Sequence, residues 1–143
     1  MTEKSKFKAL VERMAEENSW TVQELSDEDA VVEYQLQESG LYSIYLSIDE
    51  DEVVEIAVPS EAVFANEDEI PHEASTMLLK RNLQTSAGFW VLDQFDDELC
   101  YTLIHVELLE TLEDTDREEL AELISALVEE CDEFNGLWEE EDY

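Results

Sequence analysis

The middle of the chain holds most of the residue types that could do chemistry. It contains both histidines, His72 and His105, and Lys80-Arg81, the only basic cluster beyond the N-terminal segment. A zinc protease would need a second histidine one helical turn after His72-Glu73, and none follows there. We interpret Lys80-Arg81 as the favourable positive end of a helix, because cations stabilise helix C-termini.

Metal sites are not predicted. The acidic stretches Asp49–Glu52 and Asp93–Glu98 lack the glycine at the sixth loop position and the distal bidentate glutamate of a calcium loop. We interpret both as hairpin turns. Cys100 and Cys131 do not form a Cys-x-x-Cys pair, so we interpret them as buried thiols, with a disulfide as the less favoured alternative.

No catalytic set can be recognised from residue spacing. The glycines stand apart at positions 40, 88 and 136, so the chain has no glycine-rich phosphate loop. Carboxylate pairs occur throughout the chain and do not single out an acid–base pair. We therefore predict that the protein is not an enzyme, with no catalytic residues, no bound metal and no cofactor.

The charge of the chain excludes whole classes of partner. Forty acidic residues face seven basic ones, which gives a net charge of -33. Such a surface repels nucleic-acid phosphates and anionic membranes, so we expect neither as a partner. Three explanations stay open: solubility in a salty cytoplasm, attraction of a basic protein, or imitation of a nucleic acid by a lattice of carboxylates.

Length and hydropathy predict one folded domain. The chain has 143 residues, of which 44% are hydrophobic, and this is enough to bury a core. Because the N-terminus is polar and no run of about twenty apolar residues occurs, we expect a cytoplasmic location. We assign residues 1–138 to a single α+β domain and residues 139–143 to a mobile acidic tail.

Helical spacing of apolar residues predicts three helices. The first covers about residues 5–17, and its stripe consists of Phe7, Leu10, Val11 and Met14. The second is expected to end near Asn82 or Leu83, because asparagine tolerates the left-handed conformation of a helix end. The third is expected to begin with a capping box at Thr115 and to stop at Asn135-Gly136.

Alternation of apolar and polar residues predicts the strands between these helices. They are expected at about 20–25, 32–36, 42–48, 54–58, 89–94 and 99–107. Pro59 would end the fourth of them. The resulting order, α-β-β-β-(β)-α-β-β-α, predicts an α+β fold with an antiparallel sheet and three helices. Leu41 and Tyr45 place apolar side chains on the second face of this sheet, so we expect that face to be covered by the last helix or by a partner.

The segment LLKRNLQTSAGFWVLD, followed by a hairpin strand and a long final helix, resembles the YbjN-like group, whose fold is that of the type III secretion chaperones. In that pattern a helix ends in Leu-x-x-x-Asn and a Gly-aromatic pair opens a strand. Leu78, Asn82, Gly88 and Phe89 match these positions. The resemblance implies a small acidic homodimer without a catalytic centre.

The resemblance also implies a mode of action. Secretion chaperones of this fold hold an extended partner segment on apolar patches of the first helix and the sheet. The corresponding partner-binding candidates here are Phe7, Leu10, Val11 and Met14. We therefore expect a chaperone-like or regulatory homodimer that binds a protein client or regulatory partner. The alternative is an acidic nucleic-acid mimic that binds a basic protein cleft.

Overall fold

The structure is a computed structural model that describes residues 3–36, 40–84 and 88–141 of the chain. In chain order its elements are α1 (Glu3–Asn18), β1 (Thr21–Leu25), β2 (Asp29–Leu36), β3 (Gly40–Ile48), β4 (Val53–Phe64), a 3₁₀ turn (Glu67–Glu69), α2 (His72–Gln84), β5 (Phe89–Phe95), β6 (Glu98–Leu108), α3 (Leu109–Asp114) and α4 (Arg117–Glu141).

The strands form one six-stranded sheet in the order β1-β2-β3-β4-β6-β5. Every neighbouring pair is antiparallel. The predicted α+β fold with an antiparallel sheet is confirmed, and only the short helix α3 was not predicted. Strand β6 lies between β4 and β5, which explains why its sequence is apolar on both faces.

The helices α1 and α4 pack on the same face of the sheet. Val11 and Met14 of α1 lie with Ile124 of α4 against Val32 and Ile44 of the central strands. All five side chains are buried. The prediction that the last helix might cover the second sheet face is therefore wrong, because α4 shares the first face with α1.

The C-terminal half of α4 completes this core with aromatic side chains. The ring centroids of Phe134 and Trp90 are 4.9 Å apart, and Trp138 meets Phe64 edge-on at 5.5 Å. This packing carries the helix through Asn135-Gly136 to Glu141, so the predicted helix end at residue 136 is wrong. The mobility of residues 139–143 stays a prediction, and residues 142–143 lie outside the described part.

Strand β4 also continues beyond its predicted end. It passes through Pro59 to Phe64, with a register shift against β6 between Pro59 and Val63. A bulge accommodates a proline because the ladder is already interrupted where the N–H is missing. The prediction that Pro59 ends the strand is therefore wrong.

The start of α4 is capped one residue later than predicted. The Asp116 carboxylate accepts the backbone N–H of Glu119 at 2.9 Å. The Thr115 hydroxyl instead donates to the Thr111 carbonyl at 2.7 Å, which belongs to α3. The predicted capping box at Thr115 is wrong because this threonine closes the preceding short helix.

Arg13 joins the first helix to the end of α3. Its guanidinium donates to the backbone carbonyls of Glu113 at 3.1 Å, Thr115 at 3.2 Å and Leu112 at 3.4 Å. Carbonyl groups at a helix C-terminus lack partners within the helix and carry partial negative charge, so a cation stabilises them. Arg13 therefore holds α1 beside α3, although their contacting residues are 99 to 102 positions apart in the sequence.

We expect Arg13→Ala to lower the free energy of unfolding by about 1–3 kcal/mol, since it leaves partly buried carbonyls without a donor. Urea unfolding followed by circular dichroism measures this change. Arg117→Ala is the matched control, because Arg117 is exposed at the start of α4, where a positive charge gives no stabilisation. Equal stability of the two variants would contradict the role assigned to Arg13.

Candidate functional site: the open face of the sheet

The residues with catalytic potential are held in structural contacts. Cys100 and Cys131 are free and buried, and burial raises the pKa of both thiols, which keeps them protonated and unreactive. His105 pairs with Glu107 of its own strand at 3.0 Å. The prediction of buried thiols is confirmed.

Within the ranges that the structure describes, no three histidine, cysteine or acidic side chains are grouped so that they could hold a metal ion. In the same ranges, no helix is both long and apolar enough to cross a membrane.

The four predicted partner-binding residues lie inside the core. Phe7, Leu10, Val11 and Met14 are each no more than 3% exposed. Their helical spacing reflects packing of α1 on the sheet and on α4. They offer no surface in the folded chain, so contact with a partner would require α1 to leave the sheet, and this role stays a prediction.

Arg81 is part of a partly buried ion pair. Its guanidinium makes two hydrogen bonds to the Glu130 carboxylate, at 2.6 and 2.8 Å, and the Trp90 indole N–H donates to the same carboxylate at 2.8 Å. Hydrogen bonding to Glu130 raises the pKa of Arg81. The interpretation of Lys80-Arg81 as a simple positive helix end is incomplete, because Arg81 ties α2 to α4.

The Asn82 side chain makes hydrogen bonds to the edge strand β5 that a further strand would otherwise make. Its side-chain oxygen accepts the backbone N–H of Trp90, and its side-chain nitrogen donates to the Trp90 carbonyl at 3.2 Å. The amide thereby satisfies both outward backbone groups of this edge residue. Because α2 continues through Asn82 to Gln84, the prediction that Asn82 closes the helix is wrong.

Gly88 is required where the chain enters β5. Its φ of +68° is left-handed, and a Cβ there would lie 2.8 Å from both the Ile104 carbonyl oxygen and the Leu127 side chain. Only glycine combines this conformation with so close an approach. In the sequence motif, Asn82 therefore docks α2 on β5, and Gly88 lets the start of β5 approach β6 and α4 closely.

We expect Asn82→Ala to cost about 1–3 kcal/mol of stability, because it leaves two backbone groups of Trp90 without partners. Amide hydrogen exchange should accelerate at Trp90 more than at Val91, a neighbour in the same strand. Asn82→Ser is the control, since serine can retain one of the two bonds. Unchanged exchange at Trp90 in Asn82→Ala would show that water already competes for these groups.

The large hydrophobic side chains that remain exposed fall into two groups. The first lies on the sheet face without helices, which we call the open face, and comprises Leu41, Tyr45, Val63, Phe89, Val106 and Leu108. The second, which we call the α2–β5 flank, comprises Leu79, Leu83 and Leu92. Exposed apolar patches of this kind mark interaction surfaces.

Strand register makes the open face continuous. Tyr45 on β3 lies opposite Ala57 on β4, Ala57 opposite Ile104 on β6, and Ile104 opposite Phe89 on β5. Residues in register on adjacent strands share a face. One apolar row therefore crosses four strands.

The open face is concave. The rings of Tyr45 and Phe95 are 6.2 Å apart, although their strands are separated by three interstrand spacings, about 14 Å on a flat sheet. The hairpin of β5 and β6 must therefore curl toward β3. The same curl explains why Thr102 and Ala57 are 0% and 5% exposed on a face that carries no helix.

Acidic side chains stand among the apolar ones on this face. By register they are Glu24, Asp29, Glu33, Glu55, Asp93 and Glu98. Burial, and then repulsion from Asp93, raise the pKa of Glu55. None of the six strands contains lysine or arginine. The open face therefore combines apolar contact area with uncompensated negative charge.

A cleft of about 250 Å³ adjoins the open face where β3 and β4 separate. On its inner side the Tyr42 hydroxyl donates to Asp132 at 2.6 Å, and Asn135 donates to the same hydroxyl at 3.3 Å. Burial and the bond to Asp132 raise the pKa of Tyr42. These groups satisfy one another, so the cleft is a gap between β3 and β4 that α4 closes on its inner side, and it shows no catalytic arrangement.

Comparisons with known proteins bear on the fold. No protein-family model and no curated protein matches this chain. A chain in the structure of the HopA1–SchA chaperone–effector complex superposes with a TM-score of 0.62 at 13% identity, over 93% of this chain and 95% of that one. The Yersinia pestis type III secretion chaperone SycH, solved in complex with a stable fragment of YscM2, gives 0.54 at 16% identity, over 87% and 96%.

These similarities define the fold as that of the type III secretion chaperones. They extend over nearly the full length of both chains, so the whole domain is shared. The predicted chaperone-like fold is confirmed. Membership of the YbjN-like group stays a prediction.

Proposed function

We propose that this chain is a non-enzymatic protein-binding module that holds a segment of a partner protein on the open face. The observation that carries the proposal is the concave apolar row from Tyr45 to Phe89, which no helix of the described chain covers. Burying such a row against a partner removes apolar area from water. The chaperone fold of the two similar structures supports the same role.

An extended segment suits this surface best. The row runs across the strands of a curled sheet, and its exposed members, Tyr45 and Phe89, stand on either side of a middle that the curl has already buried, with Ala57 5% and Ile104 7% exposed. A segment whose alternate side chains point to one side can pack against separated apolar residues of this kind. We place this module in the cytoplasm, where it would act as a chaperone or as a regulator.

The double variant Tyr45→Ser/Phe89→Ser should lose the partner. Both rings are more than 40% exposed, so the substitutions leave the core intact and remove contact area that carries binding energy. Chemical crosslinking in native cytoplasm, followed by recovery of the chain, should yield at least about tenfold less of a specific partner band. Leu79→Ser/Leu83→Ser is the matched control, and equal yields from both variants would contradict the assignment.

We further propose that the chain is a homodimer and that the α2–β5 flank forms its interface. Leu83 is 89% exposed and Leu79 is 69% exposed. Helix α2 carries one acidic residue, Glu73, against two basic ones, so two strongly acidic copies repel each other least there. The partner-binding and dimer surfaces are then separate.

Light scattering tests this interface. The unchanged chain and Tyr45→Ser/Phe89→Ser should both have the mass of a dimer at micromolar concentration, whereas Leu79→Ser/Leu83→Ser should have the mass of a monomer. Loss of two large apolar contacts removes about 2–4 kcal/mol from association. A monomeric unchanged chain would refute the dimer itself.

Two sequence-based alternatives stay predictions. A partner could reach Phe7 and its neighbours on α1 only after α1 detaches. A nucleic-acid mimic would present carboxylates on one continuous face, whereas exposed acidic residues occur on α1, in the β3–β4 turn, in the 3₁₀ turn and along α4. No observation favours the mimic over the open face.

A further inference from the structure

The acidic residues of the open face select the chemistry of its occupant. Resting on the function proposed above, we infer that the segment held there is basic: its apolar residues alternate with lysine or arginine, whose cations pair with Glu55 and Asp93. The argument depends on where the few cations of this chain lie, on the placement of the two carboxylates, and on the curl of the sheet.

Glu55 and Asp93 belong to strands that are not neighbours, and the curl brings them within electrostatic reach. Glu55 lies on β4 opposite Val106 of β6, and Asp93 lies on β5 opposite Cys100. Asp93 nevertheless repels Glu55 and, after burial, is the second cause of its raised pKa. Two carboxylates that repel each other on one face of a sheet are both stabilised by a cation placed near them.

No cation of the described chain fills this place. None of the ion pairs formed by described lysine, arginine or histidine side chains includes Glu55 or Asp93. Arg13 is engaged at α3, Arg81 is engaged with Glu130, and Arg117 begins α4. The ion pairs of the described residues therefore supply no cation to Glu55 or Asp93, and a bound segment can supply one.

Charge also excludes a second copy of the chain as the occupant. Two open faces placed together would oppose acidic strands that contain no lysine or arginine. Like charges brought together at an interface are a strong barrier to binding. An acidic client segment is excluded for the same reason, so the face distinguishes basic apolar segments from other apolar segments.

Three labelled peptides of about ten residues, a typical strand length, test the inference. Each has valine at alternate positions, and the intervening residue is lysine, glutamine or glutamate. Fluorescence anisotropy measures their binding to the full chain. We expect the lysine peptide to bind about tenfold more tightly than the glutamine peptide, and the glutamate peptide not to bind.

Overall charge alone would also favour the lysine peptide, so variants with the same charge change separate the two causes. Glu55→Gln/Asp93→Asn should reduce the preference for lysine over glutamine to less than about threefold. Glu118→Gln/Glu122→Gln, at exposed positions of α4, should retain nearly all of it, since remote exposed charges are screened. Asp93→Asn alone should give a partial effect and guards against misfolding of the double variant.

The outcomes distinguish this inference from the function on which it rests. Equal loss of preference in both charge variants would overturn the inference, because attraction would then be a property of the whole surface. If Tyr45→Ser/Phe89→Ser still abolished binding of the glutamine peptide in that case, the proposed function would stand. If that variant left the binding of every peptide unchanged, the open face would not be the binding site and both would fall.

Discussion

The structure depends on one constraint: a six-stranded sheet has two faces, and the packed core lies on only one of them. Helices α1 and α4 meet over the same face, where the large buried side chains gather. The other face must therefore reduce its exposed apolar area without a helix. It does so in part by curling, which hides Ala57 and Thr102, and the remaining exposed area is what makes the surface suitable for binding.

Polar contacts hold the two layers in register around this core. Arg81, Glu130 and Trp90 connect α2, α4 and β5 through one carboxylate, and Asn82 connects the end of α2 to the backbone of β5. A partly buried carboxylate with three charge-assisted bonds is well compensated. The chain has a net charge of -33 and only seven basic residues. Two of these, Arg13 and Arg81, make contacts between elements of the fold, so few basic side chains remain to offset the negative charge of the surface.

Periodicity in the sequence predicts the order of the strands and of the three longer helices, but neither the 3₁₀ turn nor the short helix α3. The stripe of α1 and that of α4, with Leu120, Leu127 and Phe134, are buried as their spacing indicates. Residues that usually end an element do not end it at two positions. At Pro59 a bulge lets strand β4 continue. At Asn135-Gly136 the aromatic packing of Trp138 lets helix α4 continue.

The sequence indicates only part of the open face, the surface proposed to bind a partner. Leu41 and Tyr45 indicated an apolar second face, but alternation does not say which face the helices cover. The contact between Tyr45 and Phe95 arises from sheet curl, and no local pattern encodes it. The repulsion between Glu55 and Asp93 also arises from the sheet curl, since the two residues lie on strands that are not neighbours in the sheet. The helical spacing of Phe7 and its neighbours predicts a packed stripe, which is buried, and their contact with a partner stays a prediction.

The contact of Arg13 with α3 sets the order in which this domain can be completed. The three carbonyl groups that accept its hydrogen bonds lie 99 to 102 residues further along the chain. Most of the protein must therefore be synthesised before α1 can make this contact. Until then Phe7 and Val11 have no finished core to enter, and closing so long a loop carries an entropic cost. Because like charges repel, we expect the excess of carboxylates to oppose association of chains whose core is still incomplete. This use of the acidity needs no partner.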